Sequence, residues 1–299
     1  MNKTLNKPII MLGMGRSGTS IVSDIILNHH SLARVSNYNH KDPLNKYFNL
    51  IRILFDNKFY SILGQKQQLN GRSYLETYTF RPVESYKYLN LVTGVNFGKR
   101  FLNKIELNES ETEVIRAHFF QLTKYQFKER LGFKTTGPSR IKFLHQIFPD
   151  AKYVNIIRNP LPNIRSLLKV DFYQDRKHRL WWEGDDVYNK NELLFAKENA
   201  KQPEFIAALQ YYKIQQMHQQ EIKLLGLENQ VITVRYEDFV KQPENEIQRI
   251  LDFAELKRDR NISKFMNKNK IFNQNKKNDF FFLKEIDSKT MDIAINGIG

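Results

Sequence analysis

A run of four apolar residues, Ile9-Ile10-Met11-Leu12, leads directly into Gly13, Gly15 and Gly18, and this stretch constrains the chain more than any other. The apolar run is short and unbroken, as expected of a parallel strand buried on both faces. The glycines permit a tight turn with its amides facing inward. After Ser17, residues Ile21, Ile25 and Ile26 recur at helical spacing. A strand, a glycine-rich turn and a helix in this order form a cradle for an anion, held by backbone N–H groups and the positive end of the helix.

The cradle departs from the nucleotide-triphosphate version of this design. That version needs Gly, four residues, Gly, then Lys and Ser or Thr. Gly13 and Gly18 fit, but Thr19 stands at the lysine position and the cation has moved inside the loop, to Arg16. A kinase would lack its usual phosphate lysine. An ordinary glycine-containing turn would also satisfy the glycine spacing alone.

Arg16 followed by Ser17-Gly18-Thr19-Ser20 resembles the 5′-phosphosulfate loop of sulfotransferases that use 3′-phosphoadenosine 5′-phosphosulfate (PAPS). That loop reads roughly Pro-(Arg/Lys)-Ser-Gly-Thr-(Thr/Ser), and Gly15 stands here where Pro is common. The resemblance implies cofactor binding by Gly15, Arg16, Ser17, Gly18, Thr19 and Ser20, with Arg16 also acting in catalysis.

A second segment supports this far downstream. Tyr153 to Ile157 reads as another buried strand, Arg158 ends it, Asn159-Pro160 breaks it, and a short helix carries Ser166. Ligands of open α/β sheets bind beyond the carboxyl ends of the strands, so Arg158 and Ser166 should face the same crevice as the loop. Arg-Asn-Pro with Ser eight positions after the Arg resembles the sulfotransferase 3′-phosphate site. A guanidinium fork with a hydroxyl suits a phosphate. Arg158 could otherwise cap a strand, and Ser166 could be a solvated helix serine.

Two further segments resemble the same family. Val231 to Val234 reads as a strand followed by Arg235-Tyr236-Glu237-Asp238 and a helix from about Pro243. The resemblance places Tyr236 near the adenine; a core tyrosine is the alternative. Lys134 in Lys134-Thr135-Thr136-Gly137-Pro138 is similar to a family lysine near the transferred group, although the proline is displaced. A surface lysine before a turn would look the same.

Sulfuryl transfer needs a base for the acceptor proton, cations and amides for the transition state, and alignment of the reactants. Many family members place a Glu or His shortly after the first helix, in a segment such as Lys-Glu-Pro. The matching stretch here is His40-Lys41-Asp42-Pro43, which makes His40 and Asp42 the candidates. His40 is the natural base at neutral pH, and Asp42 stands at the Glu position. A surface histidine and a helix cap are the alternatives. His118 reads as packing. No cluster of His, Asp and Glu suggests a metal site.

The 299 residues suit one large α/β domain, spanning 1–299. The expected architecture is a central parallel sheet flanked by helices. Its P-loop NTPase-like topology is implied by the resemblance. Residues 44–127 read as mostly helical. Residues 171–203, with Trp181-Trp182, read as an irregular lid or insertion over the sheet edge. The tail 268–299, with Phe280-Phe281-Phe282, is the segment that in the family often closes over the cofactor. Long helix character marks 205–225, closed by Gly226.

No stretch approaches the ~20 apolar residues of a membrane span, and no leader is evident, so the cytoplasm is the expected location. The absence of cysteine excludes disulfides and thiol catalysis. The net charge of +15 suits anionic ligands, but lysine is spread throughout, as in AT-rich genomes, and nucleic acid is not the expected partner. The resemblance implies PAPS as co-substrate, PAP (3′-phosphoadenosine 5′-phosphate) as product, no metal, and a hydroxyl or amine acceptor: a sugar, lipid, small alcohol or peptide. An ATP–magnesium small-molecule kinase and a non-catalytic basic nucleotide- or nucleic-acid-binding protein are the competing functions.

Overall fold

The computed structural model describes residues 5–56, 79–184, 186–268, 271, 273 and 285–298. From the amino end, β1 (Ile9–Gly13) leads through the glycine loop into α1 (Thr19–Ile26) and β2 (Leu32–Arg34). Next come α2 (Asn37–Lys41), a 3-10 turn (Lys46–Ile51), α3 (Arg52–Phe55), α4 (Tyr86–Thr93) and α5 (Glu109–Gln126). β3 (Arg130–Lys134), α6 (Ile141–Ile147), β4 (Lys152–Ile157) and α7 (Pro160–Leu167) follow. The remainder comprises α8 (Asp171–Gln174), α9 (Lys190–Glu198), α10 (Pro203–Leu225), β5 (Val231–Arg235), α11 (Tyr236–Lys241), α12 (Pro243–Phe253), α13 (Arg260–Lys268) and α14 (Glu285–Asn296).

The five strands are all parallel, in the order β2-β3-β1-β4-β5. The P-loop-like α/β arrangement expected from the sequence is therefore the fold observed. β1 lies at the centre because all five of its residues are buried, which only a strand covered on both faces can satisfy. Alternate side chains feed opposite layers. Ile10 and Leu12 join the helix layer containing Phe119, Phe143 and Phe148. Ile9 and Met11 join that of Val22, Ile25 and Ile250.

The connections decide where a ligand fits. β1 proceeds to β2 and β3 on one side, and β3 then crosses β1 to reach β4 on the other. Such a reversal opens a crevice at the carboxyl ends of the strands. Gly13 pairs with Ile156, and Met11 with Lys134, so the ends of β1, β3 and β4 share one edge.

Two expectations need refinement. Among the described residues of 171–203, the short helices α8 and α9 are joined by the expected irregular connection, pinned where Trp182 and Tyr173 are buried and Gln210 Oε1 accepts from the Trp181 and Trp182 amides. Residues 44–127 are helical only in part: a connection of turns and irregular backbone separates α4 from α5, and 57–78 lie outside the described residues. The tail residues Phe280 to Phe282 also lie outside them. Downstream, α14 packs on α10 and α7.

Candidate active site

The loop after β1 owes its path to two glycines. Gly13 has φ +143°, and a Cβ there would stand 2.4 Å from the Ile156 carbonyl oxygen on the neighbouring strand. Gly18 has φ +85° and presses against the Tyr236 ring, 2.3 Å from where its Cβ would be. Arg16 takes φ +71° without being glycine, a strained conformation of the kind that clusters at functional sites. Ser17 N–H turns back to the Met14 carbonyl at 3.2 Å. The amides of Gly18, Thr19 and Ser20 open the first turn of α1, where a helix offers them no acceptor.

The two anion motifs of the sequence meet here. Arg16 Nε donates to Ser166 Oγ at 3.0 Å. Arg158 Nη1 donates to the Arg16 carbonyl at 2.9 Å. Because Ser166 Oγ accepts from Arg16, its own proton remains for another acceptor. Arg158 is buried, with its guanidinium 4.7 Å from the centre of the Tyr236 ring. Burial lowers its pKa, which Tyr236 and Glu237 partly restore and Arg16 opposes. α7 is positioned by Asn159, whose side chain caps the Leu161 amide at 3.1 Å, and by Pro160 in its first turn. At its far end Arg165 pairs with Asp287 of α14 at 2.8 Å.

Not every loop residue faces the crevice. Ser17 is fully buried, its hydroxyl accepting from Asn163 Nδ2 at 3.0 Å, so it shapes the loop from inside. Asn163 also holds the Gly15 carbonyl at 3.2 Å. The Thr19 methyl packs against Gly13. Gly15 faces open space, with nothing within 4 Å of an added Cβ. Tyr236 is 3% exposed and forms a wall between Gly18 and Arg158.

On the β3 side, Lys134 Nζ donates to Ser20 Oγ at 3.2 Å and lies 3.9 Å from Glu84 Oε2. The sequence did not single out Glu84. Its Oε1 accepts from the Thr136 amide and the Tyr86 hydroxyl, and its Oε2 from Thr136 Oγ1 at 3.0 Å. Arg140, buried behind, donates to the Thr136 carbonyl at 2.8 Å. Asp24, one turn beyond Ser20 on α1, was also missed. Burial raises its pKa to about 6, against the pull of Lys134, Arg81 and Arg34.

His40 and Asp42 lie on the surface at α2. His40 Nδ1 is 3.3 Å from Ser85 Oγ, and Asp42 ends the helix, its N–H bonded to the Tyr38 carbonyl. The structure does not bring either into hydrogen bonding with Lys134 or the loop. His118 lies on α5, its carbonyl accepting from Tyr88 at 3.3 Å.

Among the described residues, His29, His30 and Asp259 place metal-ligand atoms within 4.8 Å of one another. His29 Nδ1 accepts from the Ser31 amide at 3.2 Å, and Nε2 faces the Lys257 carbonyl at 2.8 Å. A backbone N–H only donates and a carbonyl only accepts, so His29 is the Nε2–H tautomer and its one lone pair, on Nδ1, is engaged by the Ser31 amide. Asp259 in turn accepts from the His30 and Ile262 amides. The group clasps the approach to β2 onto α13.

The site thus offers cations, amides and hydroxyls to a ligand, a donor set that suits phosphate or sulfate. The sequence matches the model of the Sulfotransferase family over residues 8–260. No curated protein matches it. Among solved structures, a sulfotransferase from Mycobacterium avium aligns at a TM-score of 0.52 with 14% identity, covering 88% of this chain and 67% of that one. A sulfotransferase domain from the curacin biosynthetic pathway aligns at 0.48 with 15% identity, covering 86% and 77%. At 14% identity the likeness to the Mycobacterium avium protein speaks to fold alone. The family match spans most of the chain, and the chain belongs to the sulfotransferase family.

Proposed function

We propose that this chain moves a sulfuryl group from PAPS to a hydroxyl or amine acceptor and releases PAP. The observation that carries this reading is the direct contact between the two motifs: Arg16 with Ser166, and Arg158 with the Arg16 carbonyl. An anion held at α1 and a second held at α7 would be parts of one ligand, and a nucleotide with a 5′-phosphosulfate and a 3′-phosphate has that form.

In this reading Arg158 and the Ser166 hydroxyl take the 3′-phosphate. The Gly15–Ser20 loop, through its amides and Arg16, takes the 5′ end. Lys134 stands beside Ser20, where it would balance charge that grows on the sulfuryl and leaving oxygens. The acceptor is a sugar, lipid, small alcohol or peptide. Residues 1–299 act as one domain, with α14 bracing α7 through Asp287. No described helix is long and apolar enough to cross a membrane, in keeping with the proposed cytoplasmic location.

Calorimetric titration with PAP, ATP–magnesium and AMP tests the reading. The expected result is tight PAP binding without magnesium, and AMP much weaker. Preference for ATP–magnesium would replace it with the kinase, and no nucleotide binding would remove it.

A further inference from the structure

The donor grips lie to one side of β1. Arg158 and α7, with Ser166, follow β4, and the loop follows β1 itself. A nucleotide gripped at both places presents its transferable group toward the remaining side, where β3 ends at Lys134. An acceptor therefore arrives over the β3 end, and the group that takes its proton must stand there.

Glu84 stands there. Its Oε2 is 3.9 Å from Lys134 Nζ, which in turn is 3.2 Å from Ser20 Oγ in the loop. Its side chain is 17% exposed, so it is open to a substrate yet mostly enclosed. Its orientation is set from both sides. Tyr86 and the Thr136 amide hold Oε1, and Thr136 Oγ1 holds Oε2. The backbone carrying it is tied to the end of β2, where Val83 N–H meets the Val35 carbonyl at 3.1 Å and Ser36 bridges Pro82. Burial keeps the Tyr86 phenol protonated, and its one proton is shared between Glu84 Oε1 and the Thr136 carbonyl at 2.7 Å. Arg140 lies under the Tyr86 ring at 5.7 Å and anchors Thr136. A carboxylate retained beside a lysine by neutral donors, at the mouth of a crevice, has the placement of a general base. By contrast, Asp24 sits a turn below the loop on α1, and His40 and Asp42 lie outward on α2.

We propose that Glu84 is the catalytic residue that accepts the acceptor's proton, an assignment that rests on the sulfotransferase reading above. As the acceptor oxygen or nitrogen forms its bond to sulfur, its proton passes to a Glu84 carboxylate oxygen. The bond between sulfur and the bridging phosphate oxygen breaks, and its electron pair leaves on the phosphate of PAP. Lys134 remains an ammonium throughout.

The test uses the full chain and radiolabelled PAPS, with water as the acceptor, and follows sulfate release in single turnovers beside calorimetric PAP binding. Glu84→Gln is expected to bind PAP within about threefold of wild type while releasing sulfate about 100-fold more slowly. Glu84→Ala is expected to lose release similarly and to recover it in proportion to added formate, a rescue that a purely structural carboxylate would not permit. Melting curves of both variants establish folding. Wild-type release by Glu84→Gln, or an Ala variant indifferent to formate, would overturn the assignment. Loss of release in His40→Ala or Asp42→Asn with Glu84→Gln intact would move the base to α2. Failure of wild type to bind PAP would instead sink the sulfotransferase reading itself.

Discussion

The two flanks of β1 are built in different ways. On the β4 side, Arg158, Asn159, Pro160, Asn163 and Ser166 come from nine consecutive positions, a strand end and the helix behind it. On the β3 side, Lys134 and Thr136 meet Glu84 and Tyr86, about fifty positions earlier, and Ser20 of α1. The first flank is a local device whose geometry follows from one strand-to-helix turn. The second exists only once three separate parts of the chain have converged. On the proposed reading, anion gripping is encoded in local spacing here, whereas the acceptor side is encoded in tertiary packing.

The comparison is sharpest if the flanks do different work. Lys134→Met is expected to slow turnover of PAPS by about 10² to 10³, roughly 2.7–4 kcal/mol of transition-state stabilisation, with PAP affinity much less affected. Pre-steady-state kinetics beside calorimetry measure this, and an equal loss of affinity and rate would erase the distinction. Arg158→Ala is expected to weaken PAP by ~1.5–3 kcal/mol, the range for a charged hydrogen bond, and to leave adenosine 5′-phosphosulfate nearly unchanged. Equal loss for both ligands would take the 3′-phosphate away from the β4 side.

The smallest effect concerns stability. Asp24 has its folded pKa raised from 3.8 to about 6, chiefly by burial. The folded state therefore holds this proton more tightly than the unfolded chain, and the resulting stabilisation is full below pH 3.8 and lost as pH rises through 6. At pH 8 the charged carboxylate is a burden, so Asp24→Asn should stabilise the protein by about 1–2 kcal/mol, less than the whole shift implies because the group keeps some contact with water. Near pH 4 the gain should vanish. Urea unfolding at the two values measures this, and a gain independent of pH would assign it to packing instead.

The difference between the flanks also explains what could be read from sequence. The parallel sheet was legible because Ile9 to Leu12 is an unbroken apolar run and Tyr153 to Ile157 is interrupted only by Asn155, and both are central strands. Arg158 and Ser166 stood out as candidates because one strand-to-helix turn sets their separation. Asn163 was readable in principle: an asparagine inside a short helix has poor propensity and calls for a reason, which here is its grip on Ser17 and Gly15. Glu84 carried no such signal, since nothing in Arg81-Pro82-Val83-Glu84 indicates that Val83 will dock on Val35 and carry the carboxylate to Thr136. Trp182 read equally as a cover or an anchor. Its contact with Gly137 and its burial make it an anchor.

The bond from Arg158 to the Arg16 carbonyl has a consequence for ligand selection. Two binding places joined by a flexible link would each lose freedom separately when a bifunctional molecule arrives. Here the link is a hydrogen bond already made, together with that from Arg16 to Ser166. On the proposed reading, a nucleotide charged at both ends meets a preorganised chelate, and the second grip engages at high effective concentration once the first is made. A molecule with only one of the two charges receives none of that advantage, so discrimination comes from the rigidity of the join as much as from either grip.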